Sequence, residues 1–465
     1  MGHSHSELDE SPQAVATRRR ANRLLAAILI PITLLAVVAM ILLWPSGAAD
    51  DVEVGNPYST AAGVSFQVGT VERTSVATCL YPSTEASVGQ ECLVAHLVPD
   101  GASASVAVEI PPEVIRESDV NVGDRIRFLD LGTANEGAAA RYSFIDFVRT
   151  TPMALLAAIY ALVVVLVARW RGLRALLGLA GAYLVIANFI VPGLIEGKPP
   201  LLLGLVGSTV IMVGVLYFAH GFSARTSTAL LGTIFGLLTT ALIAAWATGA
   251  AHLTGLNDDA DFTLSYASGS ISLSGILLCG LIISGLGVLN DVTITQSSAV
   301  WEMHELAPGS SSRRLFAGAM RVGRDHIAST VYTIVFAYAG AALPLLILLS
   351  LQDRPLLETI SSGELAEEIV RTLVGSIGLV LAIPVTTAIA VLVVKAVGTR
   401  GSTAPSDSEN AVDVTADPTG SRALASHATA FDASDDAVPR TRRERRGRAE
   451  IDSAPWRSGG WDEDD

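Results

Sequence analysis

Lysine is almost missing from this 465-residue chain: it occurs only at Lys198 and Lys395, while arginine is abundant. The bias fits a GC-rich bacterial genome. Cysteine is scarce too, with three residues and no CxxC pair, which argues against a structural zinc or iron–sulfur site. No GxSxG, HExxH or P-loop pattern occurs, and His220, His252, His304 and His326 are scattered. The chain is therefore not expected to be an enzyme, and no cofactor is expected. Glu302, His304 and Glu305 imitate a metal set, but a solvated helix face explains them better. Charged residues make up 16% of the chain, with a formal charge of −14. Much of the acid sits in residues 50–150 and beyond 400, and no folded segment offers the basic face that nucleic acid requires.

What the chain has in excess is apolar length. Half of its residues are hydrophobic and the mean hydropathy is +0.48, more than a soluble fold can cover with polar surface. A run of about 20 apolar residues crosses the hydrocarbon core as a helix. The first such run, Ala21 to Trp44, follows Arg18, Arg19 and Arg20 and is too long for a signal peptide. Seven more lie at about 152–168, 175–195, 201–219, 228–250, 270–289, 328–350 and 369–397. The predicted fold is a polytopic all-α membrane bundle of about eight transmembrane helices, with a small extracytoplasmic β domain. Its parts are a cytoplasmic tail (1–20), a first transmembrane helix (21–44), the β domain (46–150), a seven-helix membrane domain (152–397) and a disordered cytoplasmic tail (398–465). Arg169, Arg171, Arg174, Arg225, Arg313, Arg314, Arg321 and Arg324 then fall in inner loops, which by the positive-inside rule puts both termini in the cytoplasm of a bacterial plasma membrane. The bilayer is one expected partner and a small ion or solute another; protein partners are unassigned.

In the β domain, residues 64–68 and 103–108 alternate with period two, and Val122-Gly123-Asp124 reads as a turn before a strand at 125–128. A small barrel, OB-like, is the expected form. An oxidising exterior favours a disulfide between Cys79 and Cys92, 13 positions apart, over two buried free thiols. Asp258, Asp259 and Asp261 could attract a cation or form a solvated loop. His3 and His5 read as part of a mobile tail, and Arg440 to Arg448 holds a basic cluster that touches lipid headgroups or is merely solvated.

The richest stretch runs from Gly285 to Leu346. Asp291, Thr295, Ser298, Glu302 and Glu305 share one face if 271–306 is a continuous helix. A carboxylate at membrane depth costs roughly 2.5–3.5 kcal/mol unless paired or hydrated. Asp291, Thr295, Glu302, Asp325 and His326 are the candidate ion or substrate pathway. The plainer alternative is that Asp291 snorkels at the interface and Asp325 is an ordinary residue of a helix N-terminus. Glycine-dense helices and Pro192, Pro344 and Pro384 allow close packing and kinks.

Three blocks, GVLNDVTITQSSAVWE (287–302), RVGRDHIASTVYT (321–333) and FAYAGAALPLL (336–346), together resemble the YibE/F family of bacterial multi-pass membrane proteins over roughly residues 150–397. The family's first block reads Asp-Asp-Val-Thr, where this chain has Asn290-Asp291-Val292-Thr293. Chemistry needing two adjacent carboxylates is therefore not carried over, whereas Asp291 and Asp325 match. The resemblance implies a plasma-membrane helical bundle and no particular activity. The residues themselves favour a transporter or permease using the membrane-edge carboxylates for a cation or proton. The alternative is a non-transporting assembly or sensory protein whose outer domain binds a partner or ligand.

Overall fold

The computed structural model describes residues 12–47, 64–79, 91–132, 141–256, 261–262, 264, 271–352 and 355–398. His3, His5, Asp258, Asp259 and the arginine cluster at 440–448 lie outside them.

Helix α1 (Pro12–Leu42) is followed by a closed barrel. Its strands are β1 (Ser65–Thr78), β2 (Glu91–Pro99), β3 (Val106–Ile110), β4 (Arg125–Asp130) and β5 (Tyr142–Phe147), in the order β1-β2-β3-β5-β4 around the barrel. Short helix α2 (Pro112–Glu117) lies between β3 and β4. This is a five-stranded barrel of the OB type, as expected from the sequence. Closure depends on β1, which pairs with β4 along Ser65–Thr70 and with β2 along Gly69–Thr78, with an irregularity between Val71 and Arg73. The strand coils from one partner to the other at Gly69, where a Cβ would meet Leu97 Cδ1 at 2.5 Å and the Val98 carbonyl at 2.8 Å. Gly123, in the predicted turn, has φ +97°, a region glycine enters without a Cβ penalty.

Alternation then sorts the side chains. Val71, Ala95, Leu97, Val108, Ile110, Ile126 and Phe128 fill the interior, with Val114 and Ile115 of α2 packed against them. Each fully buried large apolar side chain contributes about 1.5–3 kcal/mol, so the barrel has a core of its own. Cys79 and Cys92 are joined as a disulfide.

The rest of the described chain is helical: α3 (Thr150–Val185), a π turn (Ile186–Ile190), α4 (Val191–Ile195), α5 (Pro200–His220), α6 (Ala224–Ala250), α7 (Leu273–Ser284), α8 (Leu286–Leu306), α9 (Ser312–Ala341), α10 (Leu343–Ser350), α11 (Leu356–Ile360) and α12 (Gly363–Gly398). Helices α6, α8 and α12 pack mutually at the centre, with α9 against α8 and α12, and α5 between α3, α6 and α7. Their shared core includes Leu230, Leu237, Leu289, Val292, Leu379 and Ile383. Large apolar side chains on α1, α3 and α10 stay exposed, the pattern of helices whose outward solvent is lipid.

Six helical stretches are long and apolar enough to cross a membrane, or seven if α9 and α10, bent by 64° at Ala342, form one span. Pro344, in the first turn of α10, lacks the amide that would continue the ladder. The expected runs at 152–168 and 175–195 fall on one stretch, Thr150–Ile195, of 46 residues. Straight, it would reach about 69 Å, over twice the ~30 Å hydrocarbon core. It is not straight: Arg169 has φ 52° and ψ −134°. A Cβ on Gly172 would collide with the Val164 carbonyl eight residues back, a contact only a sharply bent chain makes. The condition set for residues 271–306, one continuous helix, is nearly met over 273–306, since Gly285 joins α7 to α8 at φ −76° and ψ −15°.

Candidate functional site

Helix α8 presents two polar faces. The one marked by its charges points outward: Asp291, Thr295 and Glu302 are exposed. The other points into the bundle, where Leu286, Leu289, Val292, Thr293, Gln296, Ser297 and Val300 are buried at helical spacing. Gln296 and Ser297 went unmarked in the sequence because they carry no charge, and Thr293 stood out only as part of the family block. The signal was present as an amide and two hydroxyls at i, i+3 and i+4 beside an apolar stripe.

Gln296 is the hub of this inner seam. Its Nε2 donates to the Ala319 carbonyl of α9 at 2.9 Å and to Thr387 Oγ1 of α12 at 2.7 Å. Thr293 Oγ1 lies 2.7 Å from Thr233 Oγ1 of α6, and Ser297 donates to the Arg225 carbonyl at 2.9 Å. One helix is thereby tied to α6, α9 and α12. Threonine suits such a seam because its hydroxyl also reaches the carbonyl one turn back, as Thr386 does to Ala382 and Thr387 to Ile383, both at 2.7 Å. Glycine faces one of these threonines and a further buried one, Thr240: a Cβ on Gly232 would collide with Thr386 Oγ1, and one on Gly378 with Thr240 Oγ1. The helices meet at backbone distance. Ser208, Thr228 and Thr240 are completely buried, and their hydroxyls have no hydrogen-bond partner among the described residues.

Of the five residues singled out in the sequence, the fold joins two. His326 Nε2 on α9 lies 3.6 Å from Asp291 Oδ2 on α8, with side-chain exposures of 29% and 68%. Thr295 Oγ1 donates to the carbonyl of Asp291 at 2.6 Å. Glu302 is about 16 Å further along the helix and faces Arg225 at 3.5 Å. Asp325 is exposed on α9. Both members of the Asp291–His326 pair lie where the apolar parts of α7–α8 and α9 give way to polar sequence.

A second polar assembly was missed because its partners are about 150 residues apart. The Glu196 carboxylate accepts the amides of Ser46 (2.7 Å) and Gly47 (3.0 Å). Lys198 Nζ donates to the carbonyls of Leu43 (3.2 Å) and Trp44 (2.5 Å) and pairs with Glu196 at 3.0 Å. These hydrogen bonds, the Ser46 amide foremost, hold the Glu196 carboxyl down at about 2. The clamp fixes the end of α1 against the turn before α5.

A bundle of long apolar helices around a polar seam, joined to an OB-type barrel, fits a helical membrane protein. The chain belongs to the YibE/F-like protein family, whose profile matches residues 156–396. No curated protein and no solved structure matches it. The match takes in the seam and the Asp291–His326 pair and leaves out the barrel.

Proposed function

We propose that this protein is a transporter or permease of the bacterial plasma membrane that carries a cation or protons along the seam between α6, α8 and α12. Asp291 and His326 form its charged end. The observation that carries the reading is the set of buried hydroxyls on Thr228 and Thr240 of α6 and Ser208 of the neighbouring α5 that lack partners among the described residues. An unsatisfied hydroxyl in an apolar surrounding costs roughly 1–3 kcal/mol, and a plain bundle would place an alanine or valine there. Groups that pass water or a cation repay that cost during transport. The reading invokes no catalytic step.

In this reading Thr150–Ile195 crosses twice, turning at Arg169, and α9 with α10 crosses once, which brings the count to eight. Arg169, Arg171, Arg174, Arg225, Arg313, Arg314, Arg321 and Arg324 then share the cytoplasmic side with both termini, and the barrel lies outside. The test is ion and proton flux in proteoliposomes with the native protein, Asp291→Asn and Thr240→Val. Flux that collapses in both variants while the fold persists supports the seam. No flux above empty liposomes for any common monovalent or divalent cation sinks it.

One feature favours the second reading, a sensory or assembly protein. A cleft of about 330 Å³ at the base of the barrel is lined by Asp119, Asp124, Arg125 and Arg149. Ligand or partner binding there, without flux, would make that reading the better one.

A further inference from the structure

The barrel carries a cluster that neither reading uses. Cys79, Cys92 and Glu109 each present a ligand atom, and the three atoms lie within 4.8 Å of one another. The strand ladder builds this arrangement: Ala77 faces Cys92 across β1–β2, and Leu93 faces Ile110 across β2–β3. The end of β1, the start of β2 and the end of β3 therefore converge. Cys92 is 1% exposed, while Cys79 and Glu109 are half-buried.

With the sulfurs joined, the cluster holds one carboxylate and needs no cation. Reduction changes that. The two freed sulfurs and the carboxylate are then three ligand atoms in one small space, and a cation that displaces the thiol protons can take all three. Two sulfurs and an oxygen form a donor set that Zn²⁺ accepts, at about 2.3 Å to sulfur and 2.0–2.2 Å to oxygen, with water in a fourth position. Ligand atoms around such an ion sit roughly 3.5–4 Å apart, as tetrahedral geometry at those bond lengths requires. Rotation of the freed side chains can supply that spacing from the present one.

We propose that Cys79, Cys92 and Glu109 form a redox-gated site for a thiophilic divalent cation such as Zn²⁺, closed while the disulfide stands and opened by its reduction. The electrons come from a dithiol reductant. One of its thiolates attacks a protein sulfur to give a mixed disulfide, and its second thiol then displaces the protein. The reductant leaves as a disulfide, having given two electrons and two protons, and the protein holds two thiols. Zn²⁺ then displaces the two thiol protons as it binds.

The experiment compares Zn²⁺ uptake by the full-length protein in detergent, oxidised or reduced by a dithiol that is then removed without air, in competition with a chromophoric chelator. The reduced protein is expected to bind one more Zn²⁺ than the oxidised protein. Glu109→Gln, which leaves the cysteines free to pair, is expected to weaken that additional site at least ~10-fold, the lower end of what losing even an outer-shell partner costs. Circular dichroism of both redox states checks that the barrel persists. Equal uptake in both states, or unchanged affinity in Glu109→Gln, overturns the proposal. Loss of the barrel on reduction also overturns it, since the site requires the strands to hold their register.

Discussion

The imidazole of His326 and the carboxylate of Asp291 stand 3.6 Å apart across the α8–α9 hairpin, brought together from two sequence blocks 35 positions apart (326 against 291). Asp291 is mostly exposed, so the pair contributes little to stability; exposed ion pairs typically yield 0.2–1 kcal/mol. A double-mutant cycle of Asp291→Asn and His326→Gln is therefore expected to give a coupling of at most about 1 kcal/mol in detergent unfolding. Each single variant is expected to abolish flux. A large coupling with intact flux would make the pair a structural tie.

Gln296 behaves in the opposite way. Replacement by leucine removes both hydrogen bonds, to the Ala319 carbonyl and to Thr387 Oγ1, at an expected cost of about 1–3 kcal/mol. Thr295→Val, one position away on the exposed face, is expected to stay within about 0.5 kcal/mol. Thermal unfolding of the two variants checks the contrast, and equal effects would mean that the inner seam does not hold the helices.

Gly378 faces Thr240 at backbone distance. Gly378→Ala adds a methyl where none fits and is expected to destabilise the bundle by about 1–3 kcal/mol. Combining it with Thr240→Ala, which clears the hydroxyl, is expected to recover most of that loss, since contacting sites are not additive. Failure to recover would place the strain elsewhere in α12.

The Glu196 clamp sets a pH window. Its carboxyl lies at about 2 in the folded protein, chiefly through the Ser46 amide, against about 4.3 when unfolded. A depressed carboxylate stabilises fully above the unfolded value and loses its contribution as pH falls through 4 toward 2. Hydrogen exchange at Ser46 and Gly47, corrected for its intrinsic pH dependence, is expected to show protection at neutral pH that declines below about pH 4. Glu196→Ala is expected to abolish the protection at neutral pH. Protection that survives in the variant would assign the docking of α1 to Lys198 and apolar contacts alone.

Much of this was legible in the order of residues. Apolar runs near 20 residues mark crossings because bilayer thickness and helix rise leave little choice. The Val122-Gly123-Asp124 turn, the alternating strands and the disulfide were legible too, since turn chemistry and strand period are local. The choice of face on α8 was not. Asp291, Thr295 and Glu302 share a face by spacing, but spacing cannot say whether that face turns toward other helices or away.

What the sequence determined by itself, then, is membrane-length helices, alternating strands and their turn, set by short-range periodicity and by composition, together with the blocks that resemble the family; barrel closure rests on the distant pairing of β1 with β4. The tertiary structure alone decided the partners: Gln296 with Ala319 and Thr387, Thr240 with Gly378, and Glu196 with Ser46. Each pairing depends on helices distant in sequence approaching closely enough for a hydroxyl, an amide or a missing side chain to matter. That approach is a property of the packed bundle, which no single segment encodes.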